Sequence, residues 1–299
     1  MRIHLLAALA ILTSSAAPAP AHAGFPVRVK MRCPVGGEQF THTTTASMST
    51  WGERPDGKPY GSWTFPLALP ECPTNGLIVF REEFSRAEKA TLQRLIADPA
   101  YRALRSSDTP YYRAHWLEGR LNPGSVDATW LLLRAVWEAE EGSDRRARYL
   151  REFAQQAEAA PSSTEYWTML QLRAVNAHRE LGEFDAARAR LATLPTPPAP
   201  PAAVAGESEE AAWAREEAAE QAQAMAAYRT GLQVLIDRGD ASIAPLDMLP
   251  EREVAERCVD LGDRIAESDL AQRVCTTEAV AAEMEEIRSI RAEMAAAGG

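Results

Sequence analysis

Apolar and polar positions divide this chain into a short stretch of period two followed by a long stretch of helical period. Pro26-Val27-Arg28-Val29-Lys30-Met31-Arg32 alternates apolar with basic residues, as a half-buried strand does. Phe40 to Trp51 is rich in Thr, and Arg54-Pro55-Asp56-Gly57-Lys58-Pro59-Tyr60-Gly61 is dense in turn formers. Ser62-Trp63-Thr64-Phe65 and Leu77-Ile78-Val79-Phe80 are each expected to form a short strand.

The helical pattern begins at Ser85. Ser85-Arg86-Ala87-Glu88 is a capping box, with Leu92, Leu95 and Ile96 following at helical spacing. Thr109-Pro110 opens the next helix with Pro at its first position. Asp127 to Glu141 carries Trp130, Leu131, Leu133, Val136 and Trp137; Gly142 breaks it, and Ser143 to Ala159 follows with Tyr149, Leu150 and Phe153. Ser162-Ser163-Thr164-Glu165 is expected to cap a helix with Trp167, Leu170, Leu172 and Val175; Gly182 ends it, and Phe184, Ala187, Leu191 and Leu194 mark its partner. The breaks at Gly142 and Gly182 lie 40 residues apart, the signature of stacked helical hairpins. Gly182-Glu183-Phe184-Asp185-Ala186-Ala187 resembles the turn of a tetratricopeptide repeat, although Trp167 and Leu170 fit that repeat's first helix poorly. An irregular helical bundle is the alternative.

Beyond Pro195-Thr196-Pro197-Pro198-Ala199-Pro200-Pro201, a Pro-rich linker, Glu207 to Asp237 reads as one long helix. Glu251 to Ile265 and Asp269 to Met294 are expected as closing helices. Val280, Met284, Ile287 and Met294 form a stripe that covers the protein's own core or a second copy.

Composition adds a compartment. Met1-Arg2-Ile3-His4 is basic, Leu5 to Leu12 is apolar, and Ala21-His22-Ala23 fits a signal-peptidase site with Gly24 as the new first residue. No later stretch approaches the roughly twenty apolar residues of a membrane span. A periplasmic or secreted protein is expected, and its four cysteines suit an oxidising compartment. The formal charge is −10, and residues 201–299 account for it with 21 Asp and Glu against 9 Arg. A negative field there disfavours nucleic acid as a partner.

Two incomplete zinc knuckles carry the sharpest motif. Cys33-Pro34-Val35-Gly36-Gly37 and Cys72-Pro73-Thr74-Asn75-Gly76 each match C-P-x-C-G except at the second cysteine, where Gly36 and Asn75 stand. In an intact ribbon two ligating sulfurs lie roughly 3.8 Å apart, each about 2.3 Å from zinc. A small shift from that geometry joins Cys33 to Cys72 as a disulfide. Cys258 and Cys275 lie symmetrically about position 266.5, so two antiparallel helices turning near Glu267-Ser268 predict a second disulfide. The weaker metal alternative is Cys33, His42 and Cys72, with Glu38 or Glu71 as a fourth ligand; no cofactor is expected.

The plan of two such knuckles, an aromatic β insert and helical repeats resembles a bacterial family of unknown function in which a zinc-ribbon head precedes tetratricopeptide-like helices. The matching residues are Cys33, Pro34, Gly37, Phe40, Cys72, Pro73 and Gly76, and the similarity covers roughly residues 30–195. The resemblance implies this order of head and body. It does not transfer zinc, because Gly36 and Asn75 replace two ligands, and it implies no activity.

The expected fold is therefore mainly α: a small disulfide-closed β head, degenerate zinc-ribbon-like, followed by α-helical hairpin repeats. The expected organisation is a signal peptide over 1–23, the β head over 24–84, the helical body over 85–194, a Pro-rich linker over 195–206 and acidic helices over 207–299. Stacked hairpins make an extended concave surface suited to binding, here a protein partner in the cell envelope. Tyr111 and Tyr112, beside Trp116, are candidate aromatic anchors on a rim between head and repeats, and Trp51 and Tyr60 in the β insert form a second candidate patch. Two rivals are an envelope enzyme with its site between head and helices, for instance at His42, Glu71 and Arg113, and a zinc or redox module at Cys33 and Cys72. No G-x-S-x-G, S-x-x-K or phosphate loop occurs. His115 and His178 fall on predicted helices and read as packed or surface residues.

Overall fold

The computed structural model describes residues 25–196, 202–203 and 206–297. The expected signal peptide over 1–23 lies outside the described residues, as does most of the Pro-rich linker.

Four strands form two hairpins. Strands β1 (Pro26–Arg32) and β2 (Gln39–Thr45) pair antiparallel, with Met31 opposite Phe40 and Val29 opposite His42. Strands β3 (Thr50–Glu53) and β4 (Pro59–Gly61) pair around the Arg54–Lys58 turn. The two knuckles fold alike although neither surrounds a metal-ligand set of cysteines. In the first, the Cys33 amide donates to Glu38 (2.8 Å) and the Gly37 amide to the Cys33 carbonyl (3.2 Å). In the second, the Cys72 amide donates to Leu77 (2.9 Å) and the Gly76 amide to the Cys72 carbonyl (2.9 Å). The Cys33–Cys72 disulfide joins them with a Cα separation of 5.6 Å. Asn75, at a missing-ligand position, stitches the turns instead. Its amide donates to the Val35 carbonyl at 2.8 Å, and its oxygen accepts from the Leu77 amide at 2.9 Å. Gly76 has a positive φ of 70°, the left-handed region that favours glycine.

Two expected strands are absent. Leu77 to Phe80 forms one bridge, Ile78 with Glu71, because Leu77, Ile78 and Val79 are buried against helices. Ser62 to Phe65 is irregular, β4 ending at Gly61.

Helix α1 (Arg86–Leu95) begins at the expected capping box: the Glu88 amide donates to Ser85 Oγ, and Glu88 accepts from the Ser85 amide at 2.7 Å. Helix α2 (Pro99–Ser107) was not signalled by an apolar stripe, yet Asp98 caps it and Pro99 opens it. Then follow α3 (Pro110–Leu121), α4 (Val126–Glu138), α5 (Asp144–Ala159), α6 (Trp167–Glu180), α7 (Phe184–Thr193) and α8 (Glu209–Asp237). Consecutive helices from α3 to α8 pack on one another, and α8 also reaches α6. The expected cap at Ser162–Glu165 does not form. Those residues make turns closed by the Thr164 amide on Pro161 and the Trp167 amide on Thr164, and α6 follows Tyr166 in the left-handed conformation (φ 56°, ψ 25°).

The core is divided. One cluster holds the disulfide of the head with Leu77, Phe84, Leu92, Tyr101 and Leu117, so the head is continuous with α1–α3. A second fills α3–α6 around Leu132, Val136, Tyr149 and Phe153. A third joins α6, α7 and α8 through Leu172, Val175, Leu191 and Leu232. The last belongs to the C-terminal helices α9 (Glu251–Leu261), α10 (Asp269–Cys275) and α11 (Glu278–Ala297). The Cys258–Cys275 disulfide joins α9 to α10, with a Cα separation of 5.8 Å. The expected single helix over Asp269–Met294 is broken at Thr276-Thr277, whose hydroxyls donate to the Gln272 and Val274 carbonyls and compete with the helix. Val280, Met284 and Ile287 cover this local core, whereas Met294 is exposed. The protein is thus mainly α with a small disulfide-closed β head. No helix among the described residues is long and apolar enough to cross a membrane.

Candidate binding groove

The Arg54–Lys58 turn organises the centre of the molecule. It enters the helical body and brings charge with it. Asp56 is 1% exposed and accepts two hydrogen bonds from Arg54 (3.1 and 2.6 Å), one from Arg146 (3.1 Å) and one from the Lys58 amide (3.0 Å). Arg146 also donates to the Val136 carbonyl and to Glu180, both at 2.6 Å. From α6, Arg173 holds the Pro55 carbonyl at 2.6 Å and pairs with Glu53. From α4, Trp137 donates its indole N–H to the Asp56 carbonyl at 3.0 Å. From α8, Tyr228 donates its hydroxyl to the Pro55 carbonyl at 2.6 Å. The turn must come close: a Cβ on Gly57 would lie 2.9 Å from the Arg173 Cζ.

The electrostatics follow from burial and pairing. Burial alone would raise the Asp56 pKa, but Arg54 and Arg146 hold it below the usual carboxylate range. Glu180 is pushed up by burial and by the negative charge of Asp56, with which it shares Arg146. Burial raises the Tyr228 phenol to about 12, so it remains a hydrogen-bond donor.

Beside this turn lies a groove of about 1040 Å³. Glu53 and Pro55 form one end. Trp130 of α4, Trp167 and Met169 of α6, and Met225 of α8 form its walls, and Met248 lies across it from the segment before α9. The sequence explains why these groups are only partly covered; Trp167 also donates its indole N–H to the Ala160 carbonyl at 3.1 Å. Trp167, Met169 and Leu170 crowd the first turn of α6, more apolar residues than one buried stripe uses; Leu170 goes inward and the other two stay half-buried. On α8 only Leu232, Leu235 and Ile236 are buried, so the helix between Glu209 and Tyr228 has an unpacked face. Tyr166, 70% exposed, stands on the rim. Its backbone is the one non-glycine position with positive φ among the described residues. Such conformations cost roughly 1–3 kcal/mol and cluster at binding sites. Met and aromatic side chains suit a surface that adapts to an apolar ligand.

None of the four expected aromatic anchors lies on this groove. Tyr111 is buried, its hydroxyl donating to the Leu67 carbonyl at 2.8 Å, and so belongs to the core. Tyr112 stacks on Tyr149 with centroids 4.5 Å apart and donates to Glu152 at 2.8 Å. Trp116 packs on Tyr101, with the Arg120 guanidinium 3.5 Å from its ring centroid. Of the expected rim, Tyr111 is therefore interior, while Tyr112 and Trp116 stay half-buried in packing with neighbouring side chains. Trp51 is half-buried against the protein's own α9, donating to Glu253 at 3.0 Å with Arg252 above its ring. Tyr60, also half-buried, lines a small cavity of about 260 Å³ together with Trp51, Trp63 and Phe65, so the structure brings this second expected patch to one place, away from the groove. Trp130 and Trp167 stand at helical apolar positions in the sequence, and the apolar crowding at the start of α6 is the signal there for Tyr166 and Met169.

The rival chemistries find these arrangements. The disulfide joins both thiols of the set Cys33, His42 and Cys72, leaving it no thiolate. Both sulfur-bearing residues are buried, at 2% and 0% exposure, away from thiol exchange. Among the described residues no three His, Cys, Asp or Glu side chains converge as a metal set. Glu71 and Arg113 do meet, in a bidentate pair at 2.9 and 2.8 Å, but His42 sits on β2 opposite Val29 and is not part of that pair. His115 bonds the Ala128 carbonyl at 2.8 Å, and burial lowers its pKa. His178 lies between Glu158 and Glu183.

In comparisons with family models, curated proteins and solved structures, the chain matches none.

Proposed function

We propose that the protein is an exported binding protein whose groove between α6, α8 and the β3–β4 turn takes an apolar segment of a protein partner in the cell envelope. The observation that supports this reading is the set Trp130, Tyr166, Trp167, Met169 and Met225 around about 1040 Å³ of open space. That volume is at the upper end of ordinary small-molecule cavities, and it opens beside a long unpacked helix face, which suits a peptide segment. Two disulfides and the absence of a membrane-crossing helix among the described residues agree with an oxidising compartment outside the cytoplasm. Export by a peptide cut after Ala23 is part of this proposal; a mature protein whose mass begins elsewhere than Gly24 removes that part.

Selection of displayed random peptides on the full chain tests the binding role. Enriched sequences are expected to carry two or more large apolar residues and to lose binding to Ala224→Trp, which fills the groove from an exposed lining position. Failure to enrich any sequence, or enrichment insensitive to Ala224→Trp, overturns the reading.

A further inference from the structure

We infer that the segment this groove takes is cationic as well as apolar: an amphipathic helix of a partner protein, its apolar face in the groove and its Lys or Arg residues along α8. The inference rests on the binding role proposed above and adds the chemistry of the partner. Three observations carry it.

First, α8 continues past the groove as an arm that is nowhere fully buried, with a half-buried row at Ala212, Arg215, Ala219 and Ala222. It has 29 residues, about 43 Å at the usual rise, and none of its first twenty is buried. Second, the groove-facing stripe of that arm turns acidic where the apolar lining stops. Met225, Ala224 and Gln221 lie on the groove; Glu220, four residues before Ala224, and Glu217, four before Gln221, continue those rows, with Glu216 on their flank, all exposed. Among the described residues no ion pair engages Glu217 or Glu220, and Glu216 has only Arg215, which also holds Glu207. Third, the cation that lines the groove, Arg54, and two others beside it are already committed. Arg54 is held by Asp56 and Glu141, Arg173 by Glu53, and Arg238 by Asp240 and Asp247. Glu165, beside Tyr166 on the opposite wall, is exposed and unpaired among the described residues. The exposed charges along the arm and at Glu165 are therefore acidic, while the groove lining is largely apolar. A helix with Leu-like anchors on one face and Lys or Arg on its flanks complements both; an acidic helix of the same apolarity meets repulsion along the arm. Trp213, 70% exposed and one turn beyond Glu217, gives the arm a further anchor and a cation–π face.

Fluorescence anisotropy with three labelled sixteen-residue peptides tests this on the full chain. One carries Leu and Lys at amphipathic helical spacing, the second Leu and Glu in the same pattern, the third Ser and Lys. The Leu/Lys peptide is expected to bind at least about tenfold more tightly than either other. Its affinity should fall with added salt and drop about tenfold in Glu216→Lys/Glu217→Lys/Glu220→Lys, whose sites are exposed and should leave the thermal melt unchanged. Ala224→Trp should weaken it independently. Equal binding of Leu/Lys and Leu/Glu, or indifference to the triple reversal, overturns the cationic assignment while the apolar groove stands. Absence of binding by both Leu peptides removes the groove reading and this inference together. Equal binding by Ser/Lys reduces the surface to unspecific charge and overturns both. A concentration-dependent dimer in sedimentation that Ala224→Trp dissociates assigns the groove to a second copy and overturns the partner named here.

Discussion

Two surfaces meet at Pro55 and are finished in opposite ways. On the inner side, the faces of α4, α5 and α6 receive the Arg54–Lys58 turn and satisfy it with Arg146, Arg173 and Trp137. On the other, α6 and α8 leave Trp167, Met169 and Met225 around open space. A helical-hairpin stack offers a concave face to a ligand; here the chain supplies its own occupant for part of that face. The difference teaches that the polar half of the surface is structural and the apolar half is available.

The largest expected effect comes from breaking the polar half. Asp56→Ala leaves Arg54 and Arg146 buried without their shared carboxylate. Removing one partner from such a cluster costs about 3–5 kcal/mol, read as a shift in the urea midpoint. The pH dependence has a definite sign. Asp56 has a lowered pKa in the folded protein, so its contribution is full above the ordinary value of about 3.9 and is lost as pH falls through the lower folded value. The gap between wild type and Asp56→Ala should therefore be wide at pH 6 and shrink progressively as pH falls below about 3.9. Glu180 runs the other way. Its pKa is raised, so ionisation costs stability as pH rises above about 4.3, and Glu180→Gln should gain on wild type over that rise. Parallel pH profiles for the two variants would contradict the buried-cluster account.

A second prediction separates the regions further. The C-terminal helices have their own core and their own disulfide. Cys258→Ser/Cys275→Ser should cost about 2–4 kcal/mol in that unit. Hydrogen exchange should quicken in α9–α11 and stay slow in α4–α6. Equal quickening in both would mean that the tail and body unfold together.

How far the sequence led depends on whether a feature is local. The capping box at Ser85, the Gly142 and Gly182 breaks and the length of α8 are set by neighbours within a turn or two, and all are found. Both cysteine pairings are found as well, because a knuckle turn and a helix–turn–helix constrain sulfur positions strongly. The failures are long-range. Tyr111 and Tyr112 have the composition of an exposed rim, but Leu67 and Tyr149, distant in sequence, cover them. Arg-Pro-Asp-Gly reads as a surface turn, since nothing nearby announces that Arg146 and Arg173 wait for it. The groove was illegible for the same reason: it exists because α8 returns to α6 across the Pro-rich stretch and is only partly covered from Tyr228 and Met225 towards its N-terminus.

The smallest effect bears on Tyr166, where the available half carries its cost. A tyrosine at φ 56° gives up about 1–2 kcal/mol relative to a residue free to adopt that region. Its ring is 70% exposed, so truncation loses little burial. Tyr166→Gly should relieve the strain, less the extra chain entropy of glycine, for a net gain of about 0.5–1 kcal/mol and a slightly higher melting temperature. Tyr166→Ala keeps the strained backbone and should melt as wild type does. Both should weaken the Leu/Lys peptide by a similar few-fold factor, since both remove the rim ring. A gain in stability paired with a loss in binding in the glycine variant marks Tyr166 as retained for its contact. Unchanged binding in both would place the peptide away from this rim and move the functional half of the comparison towards Met225 and the acidic arm of α8.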